Sequence, residues 1–279
     1  MIERTTVSVI ALLALSSPCL AQENVTKYVR YSHDGSVAYG ILRGETITRL
    51  DGDLFSSPRE TDKTVPVLEV RLLAPCEPSK IIAVGLNYQS HLGDREPAEY
   101  PGLFAKFPTS IVGHEAEIVM PPDSRNLHYE GELVVVIGKR TQGVSAGAAA
   151  DYIFGVTAGN DVSERDWQRN DLQWLRAKAS DTFGPIGPAI VSGLNYNDLL
   201  LETRVNGETR QSERTRDLIF DIETIVSYVS RYVTLLPGDV IFTGTPGSTM
   251  ALQPGDVVEV ELEGVGVLRN TVVAAVSKR

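Results

Sequence analysis

The stretch "LHYEGELVVVIG" runs from Leu127 to Gly138. Its second half is apolar and rich in β-branched residues, the pattern of a strand buried on both faces. Its first half is different, with Glu130 and Glu132 flanking Gly131. On a strand, residues two apart point to the same face, so the two carboxylates project together at the mouth of a buried strand. Carboxylates a few ångströms apart repel, so one must take a proton or a cation must sit between them. Gly131 leaves the opposite face bare, and another element can approach closely there. A third acid, Asp161, ends "YIFGVTAGND", a second buried strand that could run alongside. Three carboxylates plus water suit Mg²⁺ or Mn²⁺, and Ca²⁺ less well. A bare Glu-x-Glu is more often a solvated strand end, but the apolar strand that follows weighs against that reading here.

Working outward, the surrounding pattern is strand-rich. "KIIAVG" at 80–85 is another buried strand, and "ETRVNGETRQ" is a hairpin turning on Asn206-Gly207. Pro-Gly-Asp turns introduce the strands "PGDVIFTGTPG" and "PGDVVEVEL". "IETIVSYVSRYV" places Ile222, Ile225, Val226, Val229 and Val233 on one stripe, an amphipathic helix packed on a core. "SERDWQRN" has a Ser163-x-x-Asp166 start and reads as a short helix. So many strands with so few crossover helices predict a closed or sandwiched sheet, not a doubly wound one. Residues 22–75, with turns at Asp34-Gly35 and Asp51-Gly52, read as a small β-rich module. The two prolines of "LLAPCEPSK" connect it to a larger domain over 76–279.

Bulk properties narrow the function. The chain has 279 residues and a formal net charge of -10, which argues against a nucleic-acid binder. The start, "MIERTTVSVIALLALSSPCLAQEN", combines a short polar segment with Arg4, an apolar run from Val7 to Leu15 and a small-residue exit. It reads as a secretory signal peptide over 1–21, cleaved after Ala21, which predicts an exported protein with no membrane insertion once the segment is removed. Removal takes Cys19 with it and leaves Cys76 alone, so no intrachain disulfide can form.

Six motifs then come in one order: "GLNYQSHLGD", "HYEGELVVVIGK", "GVTAGNDVSERDWQ", "RAKASDTFGPIGP", "VTLLPGDVIFTGTPG" and "LQPGDVVEVELEGVGVLRNTV". In this the chain resembles the fumarylacetoacetate hydrolase family from about Lys80 to Val273. The resemblance implies a mainly β (α+β) fold with few helices, a β-sandwich roll, and a homodimer. It also implies a Mg²⁺ or Mn²⁺ cofactor and a small oxo-acid substrate. Carried over by motif, Glu130, Glu132 and Asp161 are the metal ligands. Lys178 faces the substrate, and Gln168 and Thr245 bind it. His91 is the histidine of the family's His-x-x-Glu element, a catalytic general base oriented by Asp94, which stands in the glutamate's place, one methylene shorter. The reading that follows is a metal-dependent hydrolase that cleaves a C–C bond in a 2,4-dioxo acid. The alternatives are an isomerase, tautomerase or decarboxylase of 2-oxo or hydroxymuconate-type dicarboxylic acids, and a non-catalytic exported binding protein that keeps the metal site.

Overall fold

The computed structural model describes residues 25–275. The strand Gly131–Ile137 is buried at every residue. It pairs antiparallel with Ile153–Asn160 on one side and with Val240–Phe242 on the other. Alternation sorts its side chains into two cores. Leu133, Val135 and Ile137 join Ile222, Ile225, Val226 and Val229 of the helix Ile222–Tyr232, along with Leu201 and Val260. Val134 and Val136 join Ile81, Cys76, Val240 and Phe242. An apolar run without a polar face is what such two-sided burial requires.

This strand lies inside a twelve-stranded sheet. A second sheet of five strands contains Leu200–Val205 and Val257–Leu262. Its hairpin turns on Asn206 and Gly207, both at positive φ, as the sequence predicts. The two sheets meet at Gly131. A Cβ there would lie 1.9 Å from Thr203 Oγ1, so only glycine allows the strand Leu200–Val205 to come this close.

The N-terminal strands do not form a layer of their own. Thr26–His33 pairs antiparallel with Gly184–Ser192, so the strands before residue 67 extend the main sheet. The helix Arg165–Asn170 is capped one residue later than its Ser-x-x-Asp pattern suggests. The Glu164 carboxylate accepts the Trp167 N–H at 2.7 Å, and Ser163 Oγ instead donates to Asp161 O at 2.8 Å. Cys76 is buried, and burial pushes its thiol up to about 12, which makes it a structural thiol. Among the described residues no helix is long and apolar enough to cross a membrane. The expected signal segment, 1–21, lies outside the described residues.

Candidate active site

The sheet topology gathers distant residues at one end. Ile81–Gly85 runs parallel to Val240–Phe242, and both run antiparallel to Gly131–Ile137. The exits of those two strands, the start of Gly131–Ile137 and the exit of Ile153–Asn160 therefore share one edge of the sheet. The pairing of Gly131 with Asn160 brings Asp161 beside Glu130, and Asp161 N donates to Glu130 O at 2.8 Å. A cavity of about 640 Å³ opens over this edge. His91, Glu130, Glu132, Arg165, Gln168, Lys178 and Thr245 are among its lining residues.

The three acids come together as the sequence predicts. Ligand oxygens of Glu130, Glu132 and Asp161 lie within 4.8 Å of one another, and all three residues are buried. Glu130 itself precedes the strand, which begins at Gly131. Three cations contact two of the three acids, Glu130 and Asp161. Lys178 Nζ reaches Glu130 Oε2 at 2.5 Å and Asp161 Oδ2 at 2.7 Å. Arg165 reaches Glu130 Oε1 at 2.6 Å. Lys106 Nζ reaches Asp161 Oδ1 at 2.5 Å and also donates to Lys178 O.

The charges are unevenly shared. Burial alone would raise the Glu130 carboxyl, but Lys178, Arg165 and His91 override it and hold it far below the usual range. Burial opposes the Lys178 charge, yet Asp161 and Glu130 raise its pKa. For Lys106 burial wins, assisted by the Lys178 charge, and its pKa falls despite Asp161. Glu132 has no cationic partner among the described residues. It accepts one hydrogen bond, from Gly244 N at 2.7 Å. Burial and then the Asp161 and Glu130 charges push it well above the carboxylate range.

This donor set fits a hard divalent cation. It is all oxygen, it is buried beneath an open cavity, and the Lys178 ammonium already stands between Glu130 and Asp161, where positive charge is needed. Glu132 is the carboxylate left without compensation, and a cation would supply it.

The other expected residues are placed as follows. Thr245 Oγ1 donates to Gly131 O and accepts from Gln211 Nε2, both at 2.8 Å, so its hydroxyl is tied to the strand that carries the acids. Gln168 accepts from Arg165 at 2.9 Å. His91 Nε2 is 3.8 Å from Glu130 Oε1. Asp94 does not hold His91. It is exposed, outside the cavity lining, and makes no hydrogen bond or ion pair among the described residues. The His91 Nδ1 partner is Gly247 O at 2.5 Å. The shorter side chain and the turn at Gly93 leave the carboxylate facing solvent.

Sequence reading missed Lys106 and Arg165. The only signal for Lys106 is a charge at the end of an apolar strand, Gly102–Lys106. Arg165 opens a helix, where an arginine is normally solvated. His128 lines the cavity beside the acids, but its ring is engaged away from them. Its two ring nitrogens are engaged by Thr249 and Asn126, both at 2.8 Å, and burial with the Arg165 charge lowers its pKa to about 4.

Comparison with known proteins now bears on this geometry. Residues 80–273 match the family model described as "Fumarylacetoacetate (FAA) hydrolase C-terminal", and residues 26–75 match "Rv2993c-like, N-terminal". The chain belongs to the fumarylacetoacetate hydrolase family. It is 43% identical over 261 residues to a mitochondrial oxaloacetate tautomerase of Bos taurus, covering 88% of this chain and 79% of the relative. The crystal structure of 2-hydroxyhepta-2,4-diene-1,7-dioate isomerase from Mycobacterium marinum is similar at a TM-score of 0.85 and 41% identity. That match covers 91% of this chain and 100% of the other. A maleylpyruvate hydrolase from Sphingobium sp. SYK-6, solved with manganese(II) and pyruvate, is similar at a TM-score of 0.75 and 26% identity, covering 90% and 100%. The fold is the mainly β, helix-poor fold of this family, with an N-terminal β-rich part. Family members are enzymes, including hydrolases, isomerases and tautomerases. The expectation of export is overturned: a relative 43% identical over 261 residues is mitochondrial, not exported. An apolar N-terminal run resembles a secretory signal whatever its destination, which is why composition alone misled.

Proposed function

We propose that this protein is a divalent-metal-dependent isomerase that moves a proton between the keto and enol forms of a small dicarboxylic 2-oxo acid. The observation that carries the reading is the buried Glu130–Glu132–Asp161 cluster opening into a cavity beside His91, whose Nδ1 is held by a backbone carbonyl and, among the described residues, by no carboxylate. A bound Mg²⁺ or Mn²⁺ on the three acids would supply Lewis-acid polarisation of the keto oxygen. His91 Nε2 takes the proton from the carbon next to the carbonyl and returns it to the other end of the enol. Lys178 donates to the oxygen on which negative charge grows. Arg95 lines the mouth of the cavity and has no carboxylate partner among the described residues, which suits a substrate with a second carboxylate. Moving a proton at a carbon acid already activated by a cation needs one placed base, whereas hydrolysis also needs a water held against the carbonyl carbon.

Hydrolytic C–C cleavage of a 2,4-dioxo acid is the second reading, supported by the similarity to a maleylpyruvate hydrolase. The two share an enolate and diverge on whether water attacks. One preparation with Mg²⁺ or Mn²⁺, followed by ultraviolet absorbance, separates them. The expected result is fast loss of the enol form of oxaloacetate and no cleavage of an acylpyruvate. Cleavage without tautomerisation would refute the first reading, and neither activity with either metal would refute both.

A further inference from the structure

The short helix Gln89–Leu92 is fastened to the loop after Phe242 through a single residue, Gly247, and both of its backbone groups take part. Gly247 N donates to Ser90 Oγ at 2.9 Å. Gly247 O lies 2.5 Å from His91 Nδ1. Ser90 Oγ also contacts Glu213 Oε2, on the strand Glu208–Arg214 of the second sheet. Every proton in this chain has a forced place. A carbonyl only accepts, so His91 Nδ1 must carry hydrogen. A backbone N–H only donates, so Ser90 Oγ must accept it, and the one hydroxyl proton is left for the Glu213 carboxylate. With Nδ1 protonated, the lone pair of the neutral ring is on Nε2, the nitrogen facing Glu130 and the acid cluster. Gly247 adopts φ 60°, and a Cβ there would meet nothing within 4 Å. Its backbone conformation is therefore the constraint, because the left-handed turn is what offers N–H and C=O to neighbouring residues of one helix.

We propose that Ser90 and Glu213 are positioning residues that hold His91 in its Nδ1–H tautomer through Gly247, the orienting task that the sequence assigns to Asp94. This rests on the reading of His91 as the proton carrier. Ser90 pins the peptide before Gly247, so the peptide after it keeps its carbonyl aimed at the imidazole. Glu213 fixes the hydroxyl rotor, so the oxygen lone pair stays turned toward Gly247 N. Asp94 plays no part in this arrangement.

The test is nitrogen NMR of the full chain, without added metal and labelled at histidine, with the His91 signal identified by its loss in His91→Asn. The expected wild-type signature is Nδ1–H. Ser90→Ala and Glu213→Ala should both move His91 toward the Nε2–H form and leave the His33, His114 and His128 signals in place. Ser90→Thr and Glu213→Gln, which keep the hydroxyl and the acceptor, should preserve the wild-type signature. Ser90 is exposed, so Ser90→Ala should fold normally. With Mg²⁺ and oxaloacetate, the two alanine variants should lose about tenfold in kcat, part of the usual acid–base contribution, at unchanged KM. An Nε2–H signature in the wild type, or an unmoved His91 signal in both alanine variants, overturns the positioning chain. If the signals move as expected but kcat does not, the positioning chain holds and the assignment of His91 as proton carrier falls.

Discussion

Replacing Gly131 by alanine tests whether one missing Cβ joins the two sheets and sets the acids. The added carbon would meet Thr203 Oγ1 at 1.9 Å, Thr203 Cβ at 3.2 Å and Val260 Cγ1 at 3.3 Å. The first distance cannot exist, so Thr203 must rotate or the strands must separate. Thr203 is β-branched and fully buried, which leaves it few rotamers. Overpacking of this kind costs about 1–3 kcal/mol. For a chain of this size each kcal/mol lowers Tm by roughly 2–4 °C, so the melting temperature should fall by several degrees. Gly131 also donates to Gln211 and accepts from Thr245, and it stands between Glu130 and Glu132. Mg²⁺-dependent stabilisation should therefore weaken as well. Among the described residues Thr203 Oγ1 has no hydrogen-bond partner, so Thr203→Ala gives up none of their hydrogen bonds and removes the worst clash. In the Gly131→Ala/Thr203→Ala double variant most of the lost stability should return, a coupling that only contacting residues show. The assay is thermal and urea unfolding of the four proteins, with and without Mg²⁺. A Gly131→Ala melt within a degree of wild type, or no coupling with Thr203→Ala, would refute the close-approach argument.

Lys178→Met should cut turnover by about 10²–10³, since the lysine is assigned to charge that is complete only in the transition state. Its Mg²⁺ affinity by calorimetry should be equal or higher, because the ammonium competes with the ion for Glu130 and Asp161. Glu132→Gln should melt higher than wild type without metal, since the cost of burying that acid beside Asp161 and Glu130, which raises its pKa, is gone while an oxygen still accepts from Gly244 N. The same variant should lose most of the Mg²⁺-induced rise in Tm. Lys106→Met should cost about 3–5 kcal/mol in denaturant unfolding, because it strips Asp161 of one of its two cations inside the protein.

The strands and the acid cluster were legible because their signals are local. Gly131–Ile137 announces itself by seven buried positions in a row, and the Asn206-Gly207 turn by its residue types. Asp161 could be placed because a strand end beside a strand start needs only one antiparallel pairing. The continuity of the N-terminal strands with the main sheet was not legible. Pairing between Thr26–His33 and Gly184–Ser192 spans more than 150 residues, and nothing in either strand names its partner. The Asp94 expectation failed for a related reason. Spacing along the chain placed a carboxylate three residues from His91, but the turn at Gly93 directs it outward, and a backbone carbonyl from residue 247 takes the position. Backbone groups carry no sequence signature, so a site that uses them stays hidden until the chain is folded.

The same limit explains Lys106. A lone lysine in "LFAKFP" looks like a charge at a strand end, yet it is completely buried. Burial on that scale is tolerated only where partners wait, and Asp161 Oδ1 and Lys178 O are those partners. Asp161 thereby has one oxygen bound to a cation that never needs to leave, and its other oxygen shared with Lys178. Lys106 also anchors the Lys178 backbone, so the two lysines divide the work. The deeper one stays bound to Asp161 and sets where the upper one emerges. Under the proposed metal site, the upper one, at the cavity wall, would yield its carboxylate oxygens to an incoming ion.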